Sequence, residues 1–308
     1  MLLVPIGVAV FAFSLIIGHF ISEPLRLLAK RTAAYRTGAD VPLEPDGRLF
    51  EADQLAADFK GLVQTMKAQQ HDLALKERRQ AAFISDVAHE LRTPLTAIRG
   101  NAEMLEDPDL PPELHEKFCG IIINESERLS RLTHDLLTLQ RIEDDAAPME
   151  LARVNLRELS AGVLDALEPI LRDRQAHTEI VGEAPDVLGN LDRLKQAVTN
   201  LVENASRFIA PGGHIVIELF GLRGNSILAV KDDGCGFGDV DPKLLFDRFY
   251  RTDASRSRGT GGTGLGLAIV KSVVEAHDGS VEVLNLPDGG ACFIIALPSI
   301  PADTAPRS

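Results

Sequence analysis

Residues 258–270 read RGTGGTGLGLAIV. Gly259, Gly261, Gly262, Gly264 and Gly266 run straight into an apolar helical pattern. Glycines at a helix start leave backbone N–H groups open to an anion, and the helix dipole favours the negative charge. A plain flexible linker has the same glycines, but linkers do not flow into LGLAIVKSVVEAH. The stretch lacks the G-x-x-x-x-G-K-[ST] of a P-loop. It is no Rossmann fingerprint either, because RFYRTDASRSRGTGG precedes it where that motif has a strand.

Two further motifs lie upstream. DDGCGFG (232–238) follows the apolar run SILAV; Asp232 ends a strand, and Gly234 and Gly236 let the backbone turn close to a flat ligand. A strand-ending carboxylate can accept a hydrogen bond from an exocyclic amine such as that of adenine, although an ordinary β-turn uses similar residues. NLVENASRF (200–208) places Asn200 and Asn204 four apart on one helix face. Their amide oxygens suit a hard cation such as Mg²⁺; taken alone, the pair equally fits buried helix asparagines.

The pattern around these motifs predicts a strand at 149–156, a helix at 157–176, two short strands within 177–190 and a helix at 191–208. Strands follow at 214–220 and 226–232, then a helix at 264–277 and strands at 280–286 and 291–297. Helices and a mixed sheet in this order imply a two-layer α/β sandwich. The tail PADTAPRS reads as disordered.

N-terminal to this domain the texture is helical. One pattern runs through FISDVAHELRTPL (83–95) to about Glu106, breaks at DPDLPP, and resumes from Glu113 to Glu143. In the second helix Ile122, Leu129 and Leu136 recur every seven residues, interleaved with Leu132 and Leu139. This predicts an antiparallel helical hairpin. One hairpin cannot bury both faces of its seam, so the expected assembly is a homodimeric four-helix bundle. His89, Glu90, Thr93 and Pro94 fall within six positions, and Pro94 is out of place in a helix, since its ring removes an N–H and costs roughly 3 kcal/mol. It leaves the Glu90 carbonyl without a helical partner and creates a point where the helix can bend. His71, His115 and His134 carry no comparable neighbours and read as solvated.

Residues 1–22, MLLVPIGVAVFAFSLIIGHFIS, contain no charged side chain unless His19 is protonated, and would span ~33 Å as a helix. They predict a transmembrane helix. Arg26, Lys30, Arg31 and Arg36 follow, which places the remainder in the cytoplasm and the chain at the inner cell membrane. From Pro24 a short helical pattern leads through RTGADVPLEPDGRLF to a second helix, in which Leu55, Phe59, Leu62, Met66 and Leu73 trace a coiled-coil seam. The balance of 45 Asp and Glu against 32 Lys and Arg excludes a broad electrostatic grip on nucleic acid. Three cysteines without metal-ligand spacing indicate a reducing compartment.

Taken in order, NLVENASRF, DDGCGFG and RGTGGTGLGLAIV resemble the N, G1 and G2 boxes of the histidine-kinase ATP-binding domain. LLFDRFYR (244–251) resembles the intervening F box, HELRTPL the phosphoacceptor H box, and residues 23–70 a HAMP linker, with Asp53 where that linker usually has glycine. The resemblance implies a membrane-bound sensor histidine kinase of the two-component type. Its parts would be a transmembrane helix at 1–22, a HAMP-like linker at 23–70, a dimerisation and phosphotransfer hairpin at 71–147, an ATP-binding domain at 148–300 and a tail at 301–308. It further implies that ATP would phosphorylate His89 with Glu90 as base, and that a response regulator would receive the phosphoryl group. Thr93 would hold a water for dephosphorylating that regulator. Asn204, with Asn200, would hold Mg²⁺, Asp232 would read adenine, and Gly234 and Gly236 would shape its pocket. Gly262, Thr263, Gly264, Leu265 and Gly266 would cradle phosphates under a lid at about 250–261, with Arg207 and Phe249 completing the site. Two departures stand out: Arg207 and Phe208 replace the family's frequent Lys and Tyr, and Asp233 replaces an asparagine, adding negative charge near the nucleotide.

Gyrase-type ATPases are the rival enzymes. They place a carboxylate base one turn before the metal-binding Asn, where this chain has Asn200, which cannot take a proton. Glu203 is rotated from Asn204 by about 100 degrees and is expected to point elsewhere. A dimeric scaffold with a degenerate ATP domain is the non-enzymatic alternative, and the intact Asn204, Asp232 and G2 glycines argue against it.

Overall fold

The computed structural model describes residues 6–16, 18, 26, 29–30, 50–143, 149–251 and 262–300. The expected first linker helix and connector, most of the lid and the tail lie outside these residues. The chain divides into two compact units, Met1–Ser85 and Asp86–Ser308.

In the first unit, residues 6–16 are helical. Among the described residues no helix is both long and apolar enough to cross a membrane. The expectation of a transmembrane helix in the fold is thereby corrected. The long helix that follows, α1 (Phe50–Met104), has the length but not the apolarity, since charged side chains recur along it. Its seam residues Leu55, Leu62, Met66 and Leu73 are exposed in the single chain.

In the second unit, α1 continues unbroken across Pro94, whose ring is buried. The turn at 105–111 leads to α2 (Pro112–Glu143), completing the hairpin. Leu132 and Leu139 are buried, while Ile123 and Leu137 remain exposed.

The α/β domain follows the expected order closely. It comprises β1 (Ala152–Val154), α3 (Leu156–Asp173), β2 (His177–Gly182), β3 (Val187–Gly189), α4 (Leu191–Phe208), β4 (His214–Leu222) and β5 (Asn225–Asp232). A 3₁₀ turn (Pro242–Phe246), α5 (Gly266–Glu275), β6 (Ser280–Asn285) and β7 (Ala291–Pro298) complete it. Five strands form one sheet in the order β2-β4-β5-β7-β6, with β2 parallel to β4 and the other pairs antiparallel, while β1 and β3 pair separately. Ile215, Ile217 and Leu219 alternate on one buried face of β4. On α4, Leu194, Ala197, Val198, Leu201, Val202 and Ala205 repeat at steps of three and one, which turns one stripe to the core. Asn155 and Asn190 cap α3 and α4 by accepting N–H bonds from their first turns. The motifs thus fall at the end of β5, on α4 and at the start of α5.

Candidate nucleotide site

A cavity of about 450 Å³ opens between α4, the loop after β5 and the start of α5. Asp232, Asn200, Asn204, Arg207, Gly236, Gly262, Thr263, Gly264 and Gly266 line it, so the three glycine and asparagine motifs converge on one space.

Asp232 is only 5% exposed. Its Oδ1 accepts bonds from the Gly234 N–H at 3.0 Å and the Ala291 N–H at 3.3 Å. Burial pushes its carboxyl above the ordinary range; those two N–H groups oppose the shift and the charge of Asp233 adds to it. Among the described residues no bond is made by Oδ2. The side chain is therefore fixed through one oxygen and offers the other as an acceptor.

Asn204 lines the cavity without a side-chain hydrogen bond among the described residues. Its amide oxygen is a hard donor of the kind Mg²⁺ can take alongside waters and phosphate oxygens. Asn200 differs. Its Oδ1 accepts from Gln196 Nε2 and its Nδ2 donates to the Gly266 carbonyl, both at 3.2 Å, so it ties α4 to the start of α5. Arg207 is held by Glu203 at 3.0 Å. Glu203 itself reaches the cavity, contrary to expectation, because its long side chain folds back to the arginine one turn later.

The end of the cavity expected to take phosphate is lined by Gly262, Thr263, Gly264 and Gly266. Leu265 precedes α5 without a side-chain cap bond, so N–H groups at the helix start remain available to an anion. Gly264 has φ +74, and a Cβ there would lie 2.9 Å from the Phe249 Cα. Phe249 in turn donates its N–H to the Gly264 carbonyl at 2.9 Å. The F and G2 motifs are thus locked backbone to backbone, which only glycine permits. Gly262 and Gly266 have no backbone neighbour that close; their lack of a side chain leaves room for a ligand.

Two placements were not legible in the motifs. Asp233 does not line the cavity: its Oδ2 pairs with His214 Nδ1 at 3.0 Å, and that ring stacks on His177. Although burial opposes it, hydrogen bonding with His214 holds the Asp233 carboxyl below its ordinary value. The expected negative charge near the nucleotide is therefore turned toward a partner on β4. The second is the contribution of the hairpin, whose Ser130, Arg131, His134 and Asp135 on α2 also line the cavity. Thr263 donates to Asp135 Oδ2 at 2.7 Å, and its hydroxyl accepts from the Leu265 N–H. Burial pushes the Asp135 carboxyl up, opposed by Thr263 and by His134, Arg207 and Arg131. His134 is thus not merely solvated, and the spacing of 131, 134 and 135 along one helix face was the signal for it.

His89 is exposed on α1. Glu90 is bound by Arg128 of α2 at 3.1 Å, and Thr93 donates its hydroxyl to the His89 carbonyl at 3.3 Å.

Two family descriptions match the chain. Residues 79–145 match the His Kinase A (phospho-acceptor) domain, and residues 189–301 match the histidine kinase-, DNA gyrase B- and HSP90-like ATPase domain. Sensor protein SphS of Synechococcus elongatus is 40% identical over 244 residues, covering 76% of this chain and 57% of that protein. The chain thus spans little more than half the length of that relative. Among solved structures, histidine kinase ThkA in complex with response regulator protein TrrA has a TM-score of 0.59 at 25% identity, covering 72% of this chain and 62% of that one. Full-length ShkA in complex with AMPPNP has a TM-score of 0.51 at 28% identity, covering 68% of this chain and 44% of that one.

Proposed function

For this chain, which belongs to the two-component sensor histidine kinases and carries both their phosphoacceptor and their ATP-binding domain, we propose autophosphorylation of His89 from ATP. The phosphoryl group then passes to an aspartate of a response regulator. The observation that carries the reading is the convergence of Asn204, Asp232 and the Gly262–Gly266 loop on one cavity, in a chain that also presents an exposed His89.

Asp232 Oδ2 would accept from the adenine amine, and the uncapped start of α5 would hold the phosphates. Asn204 would hold Mg²⁺, which supplies charge neutralisation at the phosphate oxygens. The unprotonated nitrogen of the His89 imidazole attacks the γ-phosphorus, the bond to the β-phosphate oxygen breaks and ADP leaves. The proton on the other ring nitrogen goes to a base. Glu90 fills that role once it exchanges Arg128 for the imidazole N–H. Thr93, one turn on, would position a water for removing phosphate from the regulator. The likeness to the kinase–regulator complex supports such a partner, and the exposed apolar positions of α1 and α2 support a homodimer. A cytoplasmic setting for the catalytic part would supply ATP and keep Cys119, Cys235 and Cys292 reduced, and the second linker helix is assigned to the start of α1.

Incubating the chain with γ-labelled ATP tests the reading. Acid-labile, base-stable label that is lost in His89→Gln is the expected result. No label, together with ATP-dependent stabilisation against melting, would instead identify a nucleotide-binding scaffold, and label persisting in His89→Gln would dismiss the acceptor.

A further inference from the structure

We propose that Asn285, at the end of β6, is a positioning residue for the adenine-reading loop. The proposal rests on the nucleotide-binding reading above. Asn285 does not line the cavity, and nothing in the glycine or asparagine motifs points to it.

Its side chain reaches back across nearly fifty residues and engages the loop through both of its polar ends. Oδ1 accepts from the Phe237 N–H at 2.9 Å, and Nδ2 donates to the Gly238 carbonyl at 2.8 Å. These two groups bracket Phe237, which with Gly236 lines the cavity. Residues 233–241 have no regular secondary structure, so the loop has no ladder to hold it. At its near end Asp232 Oδ1 fixes the Gly234 N–H. In its middle, at Phe237 and Gly238, Asn285 supplies the anchor. Gly236 has φ +64, and a Cβ on it would stand 2.6 Å from Asn285 Oδ1, so the loop closes directly onto the asparagine. Only a side chain with one acceptor and one donor at the same reach satisfies both bonds.

The consequence is a division of labour in which Asp232 reads the base and Asn285 keeps the opposite wall at the right distance. Loss of the clamp lets the loop drift and weakens the fit to the base, while the phosphate end is untouched.

The test is titration calorimetry of the full chain with ATP and with GTP, beside melting of the ligand-free protein. Asn285→Ala is expected to raise the ATP Kd roughly five- to tenfold, the equivalent of losing one to two hydrogen bonds. It should also narrow the preference for ATP over GTP and leave ligand-free melting within about 2 °C. Asn285→Asp, which keeps the acceptor for Phe237 but sets a carboxylate oxygen against the Gly238 carbonyl, should weaken ATP at least as much as Asn285→Ala. An unchanged ATP Kd in Asn285→Ala, or a loss shared equally by ATP and GTP with lowered melting, overturns the positioning role while leaving the nucleotide reading intact. No ATP binding by the unaltered chain sinks that reading and this inference with it.

Discussion

Asp232 and His89, the two side chains on which the proposed reaction turns, sit in opposite surroundings. Asp232 is nearly sealed, with one oxygen fixed by two backbone N–H groups, whereas His89 stands on the open face of a helix beside a glutamate already bound by arginine. The difference follows from what each must meet. A base-reading carboxylate gains from burial, because water competes less for its second oxygen and its geometry is preset. A phosphoacceptor that must meet first a nucleotide and then another protein cannot be enclosed. Its chemistry is assembled only when a partner arrives.

If this contrast is right, joint losses of fold and binding should come from the closely packed positions of the α/β site, and substitutions in the hairpin should scarcely disturb the fold. Gly264→Ala is the severest test. Its positive φ and its approach to the Phe249 backbone predict a loss of about 2–4 kcal/mol of stability with ATP affinity falling at least tenfold, read by denaturant melts and calorimetry. Normal melting in this variant would break the comparison.

Asp232→Asn separates the two effects. One hydrogen bond to a charged acceptor is lost, so ATP affinity should fall by roughly 1.5–3 kcal/mol. The ligand-free protein should nonetheless melt higher at neutral pH. Burial raises this carboxyl's folded-state pKa, so its stabilising contribution is full below the ordinary carboxylate value and is lost as pH rises through the raised one. The wild-type protein should therefore lose stability with pH across that window, a slope the asparagine variant lacks. Melting curves from pH 3.5 to 7 measure it.

Arg128→Met is the mildest. Arg128 pairs with both Glu90 and Glu125, all partly shielded, and the buried Glu125 Oε2 has no hydrogen-bond partner among the described residues, so removing the guanidinium should cost about 1–2 kcal/mol in a denaturant melt. A loss several times larger would show that the hairpin depends on buried electrostatics as the α/β domain does.

Much of this architecture was legible in the sequence because its signals are local. The stripe of α4 and the apolar run of β5 each lie within one element, and their predicted bounds held to within a residue or two. Pairings between distant segments were not legible. Nothing near DDGCGFG reveals that His214 takes the Asp233 charge, or that Asn285 closes the loop. The Glu203–Arg207 pair is likewise hidden, because rotation along the helix turns Glu203 away from Asn204 but does not fix where its long side chain ends. The apolar N-terminal residues met the composition of a membrane span, but among the described residues no helix is both long and apolar enough to cross one.

Thr263 has a single hydroxyl proton, and it is directed at Asp135. The loop assigned to phosphate is therefore in direct contact with α2, the second helix of the phosphoacceptor hairpin. Any change that nucleotide makes in the strength of this contact must be returned in full: a hairpin posture that tightens the Asp135 bond alters nucleotide affinity by the same factor, and in the same sense. A signal arriving along the helices and a nucleotide arriving from solution would thus be reading one and the same equilibrium.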